Sequence, residues 1–154
     1  MSAITHTVLL DAAPVSVWHL LRQFGLADTW HPQITSCVIE DGDASDDGGS
    51  IRTLRLASGD LIHERLLSID NDQMTMTYGL TGTEIPLDDY AATLSVKPAA
   101  NGEQTTLQWG ASFHAADEDV ARHYEALIGE FILDGLSGMA ESLGAAMKAR
   151  DERQ

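Results

Sequence analysis

The sequence predicts an α+β domain, a seven-stranded antiparallel sheet covered on one face by a single long C-terminal helix. Three observations lead there. From Asp117 to about Arg150, apolar residues recur at helical spacing. Ahead of that stretch, six strand-like runs are separated by short connectors, which favours antiparallel pairing. One further strand and two short helices open the chain. A sheet with one apolar face must bury it, and the long helix is the available cover.

Residues 3–10 alternate loosely and end in Val8-Leu9-Leu10, a first strand. Pro14 suits the first turn of a helix, and Val15, Val17, Trp18, Leu20, Leu21 and Phe24 continue a helical pattern to about Gln23. Gly25 is a natural stop. Leu26 to Pro32 reads as a short helix or turn closing in Trp30-His31-Pro32. Ile34–Glu40 is rich in β-branched residues and forms the second strand. The acidic stretch Asp41 to Gly49 reads as a solvated hairpin loop. Ser50–Ala57, Leu61–Asp70, Met74–Leu80, Tyr90–Lys97 and Thr105–His114 follow as strands. Their connectors Ser58-Gly59-Asp60, Asn71-Asp72 and Ala100-Asn101-Gly102 carry hairpin residues. One domain is expected over residues 1–150, with 151–154 a disordered tail.

In the long helix Asp117 is the expected N-cap, with Glu118 and Asp119 in the first turn, where carboxylates meet the positive helix end. Val120, Tyr124, Leu127, Ile128, Phe131, Ile132, Leu136, Met139, Leu143 and Met147 make its apolar stripe. About 33 residues at ~1.5 Å each would span ~50 Å. Gly129, Gly135, Gly138 and Gly144 lie inside it, each costing ~1 kcal/mol against Ala. Such glycines fit close approach or room for a guest molecule beneath the helix, or a helix that bends or frays.

The 154 residues suffice for one core, and 44% of them are apolar, as in a globular protein. A formal charge of −15, from 24 acidic and 9 basic residues, argues against nucleic acid and anionic membrane surfaces. One cysteine, Cys37, excludes an internal disulfide framework. No signal-peptide layout and no apolar run near ~20 residues is present, so a cytoplasmic protein without membrane insertion is expected.

Side-chain parity assigns the strand faces. Leu107, Trp109, Ala111 and Phe113 face the helix, as do Tyr90, Ala92, Leu94 and Val96. Arg52, Leu54 and Leu56 face in on the third strand, and Ile62, Glu64 and Leu66 on the fourth. A turn at Ala57-Ser58-Gly59 sets Arg52 directly opposite Glu64. An inward Arg facing an inward Glu makes a buried pair, since a lone buried charge is very costly.

The order of elements, with Ala13-Pro14-Val15-Ser16-Val17-Trp18, Trp30-His31-Pro32, Gly49-Ser50-Ile51-Arg52, Glu64-Arg65-Leu66-Leu67 and Leu87-Asp88-Asp89-Tyr90, resembles the START-like, Bet v 1-like superfamily. Its members include polyketide cyclase/dehydrase and lipid-transport proteins. The resemblance covers nearly the whole chain. It implies a helix-grip fold, in which the sheet curls round the C-terminal helix with a ligand cavity between them. Ile34-Thr35-Ser36-Cys37 and Glu64-Arg65-Leu66 are also similar to stretches of plant abscisic acid receptors. That match sets His31 at the place of their pocket lysine, and Glu64 and Tyr90 at two polar pocket residues. The gate loop is cut to about Ala57-Ser58-Gly59-Asp60 and the lysine is absent, so neither hormone sensing nor phosphatase binding is implied.

His31 could bind a ligand carbonyl or act as a base, with a reference pKa near ~6.5, or be an exposed loop histidine. Glu64 and Arg52 could orient a polar ligand group, or form a structural salt bridge. Tyr78 and Tyr90 could donate to a carbonyl or enolate, or simply pack. Trp109 and Phe113 read as cavity wall or core, and Trp18 as core. His63-Glu64 lacks the second histidine of a zincin, because residue 67 is Leu. The acidic loop departs from a calcium loop at Asp46 and Arg52. No metal or cofactor is therefore expected. No phosphate-binding loop or nucleophile elbow appears, Ser137 being helical, and Cys37 reads as a small inert residue.

The first expectation is a small hydrophobic ligand, aromatic, polyketide or lipid-like, held between sheet and helix. His31, Arg52, Leu54, Ile62, Glu64, Tyr78, Leu80, Tyr90, Ala92, Trp109, Ala111 and Phe113 would line the site. Tyr124, Ile128 and Ile132, with Val120, would form its lid side. The alternative is a cyclase/dehydratase-type enzyme in the same cavity, with His31 or Glu64 moving protons. A dimerisation or regulatory module without ligand is a third reading, and a homodimer is compatible with any of them.

Overall fold

The computed structural model describes residues 1–41, 49–82 and 85–149. The chain opens with β1 (Ser2–Leu10), α1 (Pro14–Leu21) and a 3-10 segment (Phe24–Thr29) kinked at Leu26. β2 (Ile34–Asp41), β3 (Ile51–Leu56), β4 (Leu61–Asp70), β5 (Thr75–Leu80), β6 (Leu87–Pro98) and β7 (Thr105–Ala115) follow as an antiparallel meander. Pro14 stands in the first turn of α1, as its fixed φ favours. The acidic-loop reading falls on residues 42–48 and the tail reading on 151–154, both outside the described residues.

The connectors explain why the meander forms. Gly59 takes φ +95° in the β3–β4 turn. Asp70 Oδ1 accepts from the amides of Asp72 and Gln73, and Asn101 Oδ1 from those of Glu103 and Gln104. Each side chain thus replaces backbone partners that the turn removes. β1 lies beside β7, so the chain crosses through α1 and the 3-10 segment to begin the far edge at β2.

α2 (Glu118–Leu143) is shorter than the sequence suggests. Asp117 caps it, its side chain accepting from the Val120 amide at 2.9 Å. Its 26 residues span about 39 Å. Gly144, at φ +62°, ends the helix in the left-handed conformation that glycine adopts without strain. The chain then turns back, and Met147–Ala149 pairs with β1 as β8. Among the described residues the sheet therefore has eight strands, in the order β2-β3-β4-β5-β6-β7-β1-β8, where seven were expected. A glycine read as interior is the terminator, and its last turn became an edge strand.

The core lies between the concave face of the sheet and α1, the 3-10 segment and α2. The inward sets follow strand parity: Leu107, Trp109, Ala111 and Phe113 on β7, Ala92, Leu94 and Val96 on β6, and Arg52 and Leu54 on β3 are all buried. α2 crosses β1 and β7, while the 3-10 segment covers β2 and β3. Leu127, expected on the apolar stripe, is 46% exposed, whereas Ile132, Leu136 and Met139 are buried. No helix among the described residues is long and apolar enough to cross a membrane.

Candidate functional site

The site is built where the 3-10 segment, the inner face of β3–β7 and the middle of α2 converge. Arg52 and Glu64 are paired in register, as the β3–β4 turn dictates. Arg52 Nε and Nη2 both reach Glu64 Oε1, at 2.9 and 2.7 Å. Nη1 donates to the Phe24 carbonyl at 2.8 Å. The guanidinium lies 4.0 Å from the centre of the Phe24 ring and 5.1 Å from that of Tyr78. Ion pair, backbone acceptor and ring faces together compensate its desolvation. Burial pushes the Glu64 carboxyl above its ordinary value, and Arg52 pulls it back. Tyr78 and Tyr90 are also raised by burial, with neighbouring Trp109 opposing the rise at Tyr78.

His31 is buried at 2% exposure rather than a solvent-facing loop residue. Its Nε2 lies 2.9 Å from the Phe131 carbonyl of α2, and its Nδ1 accepts from the Gln33 amide at 3.1 Å. Those partners select the Nε2–H tautomer. The ring stacks on Phe131 at 4.0 Å and meets Trp109 edge-on at 6.1 Å. Its pKa is lowered to about 4, chiefly by burial, with Arg52 adding to the drop. The Phe131 carbonyl and Asp134 oppose it.

Glycines set the depth of this contact. A Cβ at Gly135 would come 2.5 Å from Trp109 and 2.8 Å from His31, and one at Gly138 would overlap the Trp30 carbonyl. Two of the helix glycines are therefore close-approach positions, into which Trp30-His31-Pro32 is pressed.

Between these side chains lies a void of about 10 Å³, lined by Leu21, Ala27, Trp30, His31, Ile34, Arg52, Met76, Tyr78, Leu94, Trp109, Phe131 and Gln23. Within that lining only Gln23 and Phe131 are half-buried; the rest are buried. Among the described residues the space expected to be a roomy cavity here is filled, the Phe131 and His31 rings stacking beneath α2. A larger open groove of about 530 Å³ lies elsewhere, among Met1, Ser2, His114 and the first turns of α2. Its rim is open and carries Asp117, Glu118, Arg122 and Glu125, so it cannot withhold an apolar molecule from water. Among the described residues no cluster of His, Cys, Asp or Glu is arranged to hold a metal ion.

Residues 1–146 match the family described as polyketide cyclase/dehydrase and lipid transport. This chain belongs to that family. Among solved structures, a solution structure from Thermobifida fusca is similar at 27% identity and a TM-score of 0.80, covering 94% of each chain. XoxI from Bacillus cereus matches at 23% identity and a TM-score of 0.81, over 92% of this chain and 95% of that one. Norcoclaurine synthase from Thalictrum flavum, whose structure holds dopamine and hydroxybenzaldehyde, matches at 16% identity and a TM-score of 0.75, over 92% and 86%. The fold is that of the START-like, Bet v 1-like superfamily.

Of the side chains singled out in the sequence, the structure brings His31, Arg52, Tyr78 and Trp109 together around the void. Glu64 stands behind Arg52. Leu54, Ala92, Ala111, Phe113 and Ile132 are buried in the core without lining it. Ile62 and Leu80 border a separate void of about 10 Å³ with His63 and Ile85. Tyr90 sits at a β-bulge between Asp88 and Ala91, where Asp89 takes φ +54°, and its ring stacks on Phe113 at 6.5 Å. Tyr124 and Ile128 are half-buried on α2, away from the inner void. Trp30 and Phe131 line the void although neither was chosen. Trp30 adjoins His31 in the motif that drew attention, and Phe131 is one step along the helix stripe from Ile132.

Proposed function

We propose that this protein binds a small hydrophobic ligand, aromatic, polyketide or lipid-like, between the concave sheet and α2. The observation that supports this most is the ring-walled void, whose lining sets Trp30, His31, Tyr78, Trp109 and Phe131 beside one charge-compensated arginine. An apolar lining with few polar groups is the usual form of a ligand site. Family membership and the norcoclaurine synthase likeness agree with a ligand in this fold. About 10 Å³ holds at most one water-sized sphere, whereas ligand sites run to ~300–1,000 Å³. Binding therefore displaces the Phe131 ring, the half-buried ring over the void, from its stack on His31, while the His31 bonds to the Phe131 carbonyl and the Gln33 amide stay in place. The open state is a minor population that the ligand selects.

The enzyme alternative needs His31 or Glu64 free to move a proton. His31 uses both nitrogens, and Glu64 is committed to Arg52. Binding is therefore the reading favoured by the geometry. Native mass spectrometry of freshly purified protein, repeated with excess 1-acetonaphthone, tests it. A one-to-one adduct lost on denaturation is expected. Bare protein under both conditions, with no rise in melting temperature across aromatic and acyl compounds, would refute it.

A further inference from the structure

We infer that Trp30 selects neutral aromatic ligands bearing a hydrogen-bond acceptor, through its indole N–H; this rests on the binding reading above. The chain has three tryptophans. Trp18 Nε1 donates to Asn71 Oδ1 at 2.9 Å, and the Trp109 indole is not among the buried donors left without a partner. Trp30 Nε1 is buried and has no partner among the described residues. A buried donor without an acceptor is unfavourable, and an incoming acceptor removes that cost.

The indole cannot readily turn its N–H to water. Its backbone amide is tied to the Ala27 carbonyl, and its own carbonyl is seated against Gly138 of α2. Its ring meets His31 at 5.7 Å and Trp109 edge-on at 6.0 Å. Ring faces are weak acceptors at best. A ligand that displaces Phe131 would occupy the void that Trp30 lines, between flat aromatic walls.

The charge of the acceptor also follows. Arg52 is the one cation in the lining, and Glu64 already neutralises it. His31 is held neutral by its tautomer partners. A carboxylate entering here would lose its hydration without gaining a counter-charge. The fitting group is a carbonyl or ether oxygen on a planar aromatic frame.

Three matched probes separate the contributions: 1-acetonaphthone, 1-ethylnaphthalene and 1-naphthoate, titrated into the full chain at neutral pH. The ketone is expected to bind roughly 3- to 10-fold tighter than the hydrocarbon, the increment of one hydrogen bond, and the carboxylate weakest. Trp30→Phe should bring the ketone and hydrocarbon affinities together, whatever common change the smaller ring makes to both. In nitrogen-15 spectra of the wild type, the Trp30 indole resonance, assigned by Overhauser contacts to His31 and Trp109, should move downfield with the ketone alone. That readout decides the matter even if Trp30→Phe does not fold. Equal binding of ketone and hydrocarbon, or a preference that survives in Trp30→Phe, overturns the inference and leaves the binding reading standing. Failure of all three probes to bind overturns the inference, and the binding reading falls with it only if acyl compounds also leave the melting temperature unchanged.

Discussion

Arg52 and Glu64 face each other across β3 and β4, and two guanidinium nitrogens converge on a single carboxylate oxygen, Oε1. The pair is buried, with the guanidinium against the Phe24 and Tyr78 rings. Removing one partner strands a buried charge, which costs ~3–5 kcal/mol, whereas removing both for apolar groups of similar volume is near neutral. Arg52→Ala and Glu64→Ala should each lose ~3–5 kcal/mol in urea denaturation. Arg52→Met combined with Glu64→Leu should recover most of that. Losses that simply add in the double variant would show that the two side chains act independently.

His31 makes stability depend on pH. Its folded pKa of about 4 lies below the ordinary 6.5, so between those values the unfolded chain holds more protons. The neutral imidazole contributes fully above about pH 6.5, and the contribution is lost as pH falls towards 4. The full amount is about 3 kcal/mol, and ~2 kcal/mol of it is gone by pH 5. His31→Gln should therefore flatten the fall between pH 6.5 and 5, before most carboxylates titrate. Parallel stability curves for the two proteins over that interval would contradict a buried neutral histidine.

Gly135 and Gly138 let α2 settle onto Trp30-His31-Pro32. A methyl at Gly138 meets backbone, the Trp30 carbonyl, which cannot rotate aside. The atoms nearest a methyl at Gly135 are side-chain atoms, of Trp109 and His31. Gly138→Ala should cost more than Gly135→Ala, ~2–3 kcal/mol or above, despite the ~1 kcal/mol that Ala gains in helix propensity. Thermal denaturation of both variants checks the order. A stabilised Gly138→Ala would mean that α2 does not sit this close.

The sheet was legible because its signals are local. Turn residues such as Gly59, Asn101 and Gly102 fix registers, and alternation then sorts faces, so the Arg52–Glu64 pairing followed from one turn. The end of α2 was not, because a glycine inside an apolar stripe reads alike whether it packs or terminates. Only the left-handed backbone at Gly144 and pairing of Met147–Ala149 with β1 separate those cases. The site was half legible for a related reason. Inward-facing strand residues can be named from parity, but which of them border space depends on where α2 and the 3-10 segment lie. Thus Ala111 and Phe113 are core, while Trp30 and Phe131, from a loop and the helix, wall the void.

The central claim is that an apolar molecule enters the space beneath α2, and isotope-filtered Overhauser spectra of labelled protein with unlabelled 1-acetonaphthone test it most directly. The account predicts contacts from the probe to Met76, Leu94, Ile34 and Trp109, with loss of the His31–Phe131 contact. An absence of intermolecular contacts, or contacts confined to the open groove at Met1, Ala121 and Arg122, would contradict it.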